Sequence, residues 1–165
     1  MKTVVHYFIL VCILLLVSCG FQMRGAYQLP AAMSVTYIDA SAITESSALS
    51  RVLKRRLKAG DVKIADSAED SVAVLTLSKE LKTKRIISVD SRGRAREYTL
   101  TYSISFNVKA LTEKFAIEEQ TVQIERDFIF DTEDVLGNSR EESKLYEEMQ
   151  LDIIRLIMMR LQSRA

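Results

Sequence analysis

Between residues 97 and 110 apolar and polar side chains alternate without a break. Tyr98, Leu100, Tyr102, Ile104, Phe106, Val108 and Ala110 are separated by Thr99, Thr101, Ser103, Ser105, Asn107 and Lys109. A strand points successive side chains to opposite faces, so this segment has one face to bury and one face that stays wet. One-sided burial belongs to antiparallel sheets, because parallel sheets are covered on both sides. Whatever else the chain does, it must supply a layer to cover this strand.

Neighbouring segments supply the rest of the sheet. Residues 72–89 have strand composition, with Leu75, Leu77 and Leu81 on one parity and Thr76, Ser78, Glu80 and Lys82 on the other. Asp90-Ser91-Arg92-Gly93 reads as a turn, which makes a hairpin with the alternating strand. After a turn at residues 111–115, Val122, Ile124, Phe128 and Phe130 continue the alternation, with Arg126 intruding on the apolar parity. Val35-Thr36-Tyr37-Ile38 reads as a first strand, residues 39–46 as a polar connection, and Val62-Lys63-Ile64 as a short edge strand.

Two segments carry helical period. Leu49, Val52, Leu53 and Leu57 recur at i, i+3, i+4 and i+8, with Arg51, Lys54, Arg55 and Lys58 facing elsewhere; Ser46 or Ser47 can cap the start and Gly60 can end it. The second helix is expected to open on Ser139-Arg140-Glu141-Glu142, a capping box, and to run through Leu145, Met149, Ile153, Leu156 and Leu161. Tyr146, Ile154, Ile157 and Met158 widen its apolar sector, enough for a core contact, a helix-helix contact or a partner. The expected fold is therefore α+β, a two-layer sandwich in which an antiparallel sheet of four to five strands, mixed at its edge, carries two helices on one face.

The start of the chain reads as an address. Met1 and Lys2 precede an apolar run at residues 4–17, and Leu16-Val17-Ser18 leads into Cys19, the pattern of a bacterial lipoprotein signal peptide. About 14 residues are too few to span a bilayer core as a helix, so cleavage before Cys19 is expected, with lipid then added to Cys19. An ordinary secretory signal or a signal anchor is the plainer alternative. No aspartate follows Cys19; Gly20 and Phe21 do, which favours delivery to the outer membrane. The expected organisation is residues 1–18 as signal peptide, 19–33 as lipidated N-terminus and tether, and 34–165 as one domain.

Losing residues 1–18 leaves 147 residues, in which 22 basic side chains balance 22 acidic ones. A neutral balance gives no reason to expect a nucleic-acid partner. His6 and Cys12 depart with the leader, so the remaining chain has no histidine and no thiol besides Cys19, which excludes Cys-His and Ser-His-Asp catalysis and Cys/His zinc sites. Carboxylate pairs stand at Glu118-Glu119, Glu141-Glu142 and Glu147-Glu148, as a hydrolase would need, but their spacing reads as solvated surface. Asp131, Glu133 and Asp134 could hold a hard cation, yet no calcium-loop spacing accompanies them. No catalytic residue, metal or cofactor is called for.

Basic residues are the more informative set. Lys79, Lys82, Lys84, Arg85, Arg92, Arg94 and Arg96 concentrate in the arms and tip of one hairpin. Guanidinium groups suit bidentate phosphate contacts, so this hairpin could hold the phosphorylated head of a glycolipid. Charged arms that keep an exposed sheet edge from aggregating are the alternative.

From Cys19-Gly20-Phe21-Gln22-Met23-Arg24-Gly25 onward the chain resembles the lipopolysaccharide-assembly lipoprotein family LptE. The likeness continues through Pro30, the first strand and helix, the Gly93 hairpin followed by Glu97-Tyr98, and the closing helix around Glu147-Glu148-Met149. The resemblance implies a non-enzymatic protein, anchored in the outer membrane by lipid on Cys19, that plugs the β-barrel LptD, assists its assembly and binds lipopolysaccharide. It further implies lipopolysaccharide contacts in the hairpin turn, where Arg92 and Arg94 stand with Arg96 beside them, and just before the last helix. There a position often occupied by lysine is Asn138, with Arg140 two residues on. A structural envelope lipoprotein, or a periplasmic hydrolase working through carboxylates, are the competing readings.

Overall fold

The computed structural model describes residues 28–43, 48–111, 115–131 and 133–164. The expected signal peptide, Cys19 and the expected tether up to residue 27 lie outside the described residues, as do Ser46 and Ser47. After a 3-10 turn at Ala31–Met33 come β1 (Val35–Asp39), α1 (Ala48–Ala59), β2 (Lys63–Ile64), β3 (Ala73–Val89), β4 (Ala95–Ala110), β5 (Ala116–Ile129) and α2 (Val135–Gln162). Both helices match the expected pair, and no described helix is long and apolar enough to cross a membrane.

The strands form one sheet in the order β2-β1-β3-β4-β5. β1 is parallel to β2 and to β3, while β3, β4 and β5 run antiparallel, so the sheet is mixed at the edge as the sequence leads one to expect. The α1 crossover allows the parallel β1-β2 pair, since a two-residue turn cannot join parallel strands. Along β4 the expected apolar set from Leu100 to Ala110 is buried, and Tyr98 is half-buried at the end. Leu49, Leu53 and Leu57 of α1 and Met149, Ile153, Ile157 and Leu161 of α2 join it in one core. The wide apolar sector of α2 is thereby accounted for, with Ile154 and Met158 also buried and Leu151 and Met159 left outside.

α1 ends in a Schellman motif. The amide of Val62 donates to the Leu57 carbonyl at 3.1 Å and that of Asp61 to the Lys58 carbonyl at 3.2 Å. The left-handed residue is Asp61, with φ 63°, rather than the expected Gly60. Val62 and Leu57 are both buried, the hydrophobic contact that accompanies the motif.

Two sequence expectations are corrected. Leu81 does not share the buried face of Leu75 and Leu77, because the register with β4 shifts between Ser78 and Leu81 and Lys79 takes φ 53°. This bulge adds one residue, reverses the side-chain parity, and leaves Leu81 56% exposed. Glu80, Lys82 and Lys84 turn to the helix side instead; Lys82 and Lys84 stand opposite Tyr102 and Leu100.

The second correction concerns the start of α2. Its N-cap is Asp134, whose carboxylate accepts from the Gly137 amide at 2.8 Å, so Ser139 lies inside the helix and its carbonyl accepts from the Ser143 hydroxyl. The helix begins earlier than its buried stripe because Val135 and Leu136 are exposed and add nothing to the periodic pattern. The intruding Arg126 also finds its reason: it faces α2 and pairs with Asp152 at 2.7 Å.

Candidate functional site

The far end of the β3-β4 hairpin gathers the cations singled out in the sequence. Asp90 organises its turn. Its Oδ1 accepts from the amides of Arg92 and Arg94, both at 2.9 Å, and its Oδ2 accepts from Arg94 Nε at 2.8 Å. Gly93 supplies the left-handed residue that the turn requires, at φ 77°. The bond from the Arg94 amide, with the Arg94 guanidinium and the Arg92 amide in support, holds the Asp90 carboxyl below the usual carboxylate range and outweighs the opposing effect of desolvation.

Arg94 is thus engaged within the turn. By contrast, the guanidinium groups of Arg92 and Arg96 are exposed and make no ion pair among the described residues. Arg96 lines a shallow cleft of about 360 Å³ with Asp90, Ala95, Ile129, Phe130 and Asp131. Its carbonyl accepts from the Phe130 amide at 2.7 Å, which fixes the end of β5 beside it.

Arg140 approaches the same end from α2. The Asn138 side chain donates to the Asp131 carbonyl and accepts from the Asp131 amide at 3.0 Å, tying the first turn of α2 to the segment that follows β5. Asn138 is itself buried and inside the helix, so it is a tether and does not stand just before the helix as the resemblance implies. Arg140, two residues on, is exposed and unpaired among the described residues. The four arginines thus stand on the hairpin turn, the start of β4 and the start of α2, three with no ion pair among the described residues and one bound into its own turn.

The lysines of β3 are spent differently. Lys84 Nζ lies 2.6 Å from Glu142 and sits over Tyr98, Phe128 and Phe130, with ring centroids at 4.3, 5.4 and 5.6 Å. Lys82 Nζ is 5.0 Å from the Tyr102 ring and 5.4 Å from that of Tyr146. Tyr102 donates to Glu80 at 2.5 Å; burial first, then that bond and the negative charge of Glu80, push its phenol well above the ordinary range and keep it a neutral donor. Lys79 pairs with Glu119.

Among the described residues the expected carboxylates are engaged locally. One member of each expected carboxylate pair is met by a lysine: Glu119 by Lys79, Glu142 by Lys84 and Glu148 by Lys144. Asp131 and Asp134 serve a loop and a helix cap, accepting from the amides of Glu133 and Gly137. Among the described residues no group of three or more potential ligands is placed to hold a metal ion. Sequence reasoning missed the exposed apolar side chains of Ile86, Ile87, Val89, Ile129, Val135 and Leu136. The doublets Ile86-Ile87 and Val135-Leu136, which break the local periodicity, are their trace in the sequence.

Comparison with known proteins bears on this arrangement. The family model LptE, described as lipopolysaccharide-assembly, matches residues 31–161. The LPS-assembly lipoprotein LptE of Photorhabdus laumondii is 25% identical over 138 residues, 84% of this chain and 74% of the relative. Among solved structures, rare lipoprotein B from Shewanella oneidensis is similar with a TM-score of 0.68 and 29% identity, covering 78% of this chain and 94% of that one. An uncharacterized lipoprotein B from Nitrosomonas europaea gives a TM-score of 0.66 and 28% identity, covering 84% and 88%.

Proposed function

This chain belongs to the LptE family and so has a role in lipopolysaccharide assembly, and from that premise we propose that it is a non-enzymatic outer-membrane lipoprotein that binds lipopolysaccharide through the arginine-bearing end of its sandwich. In this reading Cys19 carries the lipid anchor, the domain plugs the β-barrel LptD and assists its assembly, and Arg92, Arg96 and Arg140 contact the phosphorylated glycolipid. Arg94 acts in the same site by shaping the turn. The observation that carries the reading is that Arg92, Arg96 and Arg140, from the β3-β4 turn, β4 and the start of α2, are exposed and make no ion pair among the described residues. Guanidinium forks match phosphate oxygens bidentately, and cations without internal acid partners need give up no ion pair to do so.

The partnership is tested by purifying the barrel from cross-linked membranes. Co-purification of one copy per barrel supports the plug, and a protein found only free in the membrane overturns it. For the ligand, Arg92→Gln, Arg96→Gln and Arg140→Gln should each weaken lipopolysaccharide binding about fivefold to tenfold, with a smaller effect at high salt. Unchanged affinity in all three removes this end from the site.

A further inference from the structure

The sheet has two edges of very different length. β2 closes one side with Lys63–Ile64 alone, whereas β5 leaves the other side open along Ala116–Ile129. The Phe130 amide donates to the Arg96 carbonyl at 2.7 Å, so the even-numbered residues at the end of β5 bond to β4. In an antiparallel ladder the odd-numbered residues then point their amides and carbonyls away from β4, and the register is unbroken from Gln120 to Ile129. Two side chains of α2 occupy the ends of this outer edge. Arg160 Nη1 donates to the Thr121 carbonyl at 3.1 Å, and Asn138 takes both the amide and the carbonyl of Asp131, as a neighbouring strand would. Between these caps Gln123, Glu125, Asp127 and Ile129 are exposed, and their outward main-chain groups meet no partner among the described residues.

We infer that this gap is a strand-addition site for an extended, cationic segment of another protein, which lies antiparallel to β5 and lengthens the sheet by one strand. The gap offers about 20 Å of unpaired edge at the rise of a strand. Long edges are ordinarily blunted by proline, lysine or a bulge, but residues 116–129 contain neither proline nor lysine, and no bulge interrupts the gap. Charge selects the occupant. The Glu125 and Asp127 carboxylates stand on the open face beside the gap, hold no ion pair among the described residues, and accept only from Gln123, Thr101 and Thr99. Arg126, the one cation of the strand, faces α2 and is neutralised by Asp152. A second copy of the chain, pairing antiparallel about Glu125, sets that carboxylate against itself, and like charges directly opposite are destabilising. A segment with lysine or arginine at alternate positions instead meets both carboxylates while its main chain completes the ladder.

The full chain, held in micelles of a non-ionic detergent, is followed by amide hydrogen exchange with and without two end-blocked peptides, one alternating lysine with threonine and one alternating glutamate with threonine. With the lysine peptide at about ten times its Kd, the amides of Gln123, Glu125, Asp127 and Ile129 should exchange about tenfold more slowly, while those of Ile124 and Phe128, already bonded to β4, stay as they were. Glu125→Pro deletes one outward amide without breaking a ladder bond and should abolish the protection of the other three. Glu125→Lys keeps every amide and should weaken the lysine peptide by about tenfold. No protection by the lysine peptide overturns the site, and equal protection by the glutamate peptide overturns its choice of occupant. Slow exchange of the four amides before any peptide is added means that the edge is already covered, by the chain's own N-terminal residues or by a second copy, and overturns the inference too. Protection that survives Glu125→Pro shows attraction between charges without strand pairing and likewise sinks it.

Discussion

Lys84 Nζ is held 2.6 Å from Glu142 Oε2 while resting on the faces of three aromatic rings, so one ammonium joins the middle of β3 to the second turn of α2. Both side chains are under one-third exposed, which screens the pair less than an ordinary surface bridge. A double-mutant cycle with Lys84→Met and Glu142→Gln should give a coupling of about 1 kcal/mol, at the upper end for exposed pairs. Lys84→Met should cost more than Glu142→Gln, because it removes the cation from the rings as well. Urea unfolding measures both, and a coupling near zero would show the contact to be incidental.

Asp61 closes α1 in the left-handed region at φ 63°. That conformation costs an ordinary residue about 1 kcal/mol relative to glycine and is less costly for aspartate or asparagine. Asp61→Gly should therefore stabilise the domain by up to about 1 kcal/mol, whereas Asp61→Val should destabilise it by more than that, since a β-branched side chain does not tolerate positive φ. Thermal unfolding of the two variants checks the sign of each.

Leu81 and Leu77 look alike in the sequence and differ in the fold. Leu77 is fully buried, while the bulge at Lys79 carries Leu81 to the open face. Leu77→Ala should cost about 2–5 kcal/mol through lost burial and a residual cavity, and Leu81→Thr should lie within about 0.5 kcal/mol of the parent. Denaturant midpoints compare them directly.

That contrast marks the limit of what periodicity conveys. The alternation of β4 was readable because the strand is paired with β3 and β5 over most of its length, so its side-chain period and its burial coincide. On β3 a lysine adopts a conformation usually left to glycine, and no residue type announces the extra position. The start of α2 lies ahead of Ser139 for a related reason: Ser139-Arg140-Glu141-Glu142 has the composition of a capping box, but Asp134 takes the cap and the first turn buries no apolar residue that would extend the stripe back to it. The arginines of the site were visible as a cluster. That Arg94 is bound within its own turn depends on the local geometry around Asp90, and that Asn138 is a tether depends on the tertiary contact between α2 and the segment after β5.

Asp90 and Arg94 give the last prediction, which separates turn order from ligand contact. The folded-state pKa of Asp90 is lowered, chiefly by the Arg94 amide, so the carboxylate stabilises the turn above its unfolded value and that contribution is lost as pH falls through the folded one. Between about pH 4, near the unfolded value, and lower pH, the amide resonances of Arg92 and Arg94 should move together as the turn loosens. Arg94→Gln removes the ion pair at 2.7 Å and should raise the midpoint of that transition toward the ordinary aspartate range. It should also reduce lipopolysaccharide binding less than Arg92→Gln does, because the Arg94 guanidinium is already committed to Asp90 whereas that of Arg92 is free among the described residues. Equal losses from the two substitutions would mean that the ligand draws Arg94 away from Asp90, and the turn would then have to rearrange on binding.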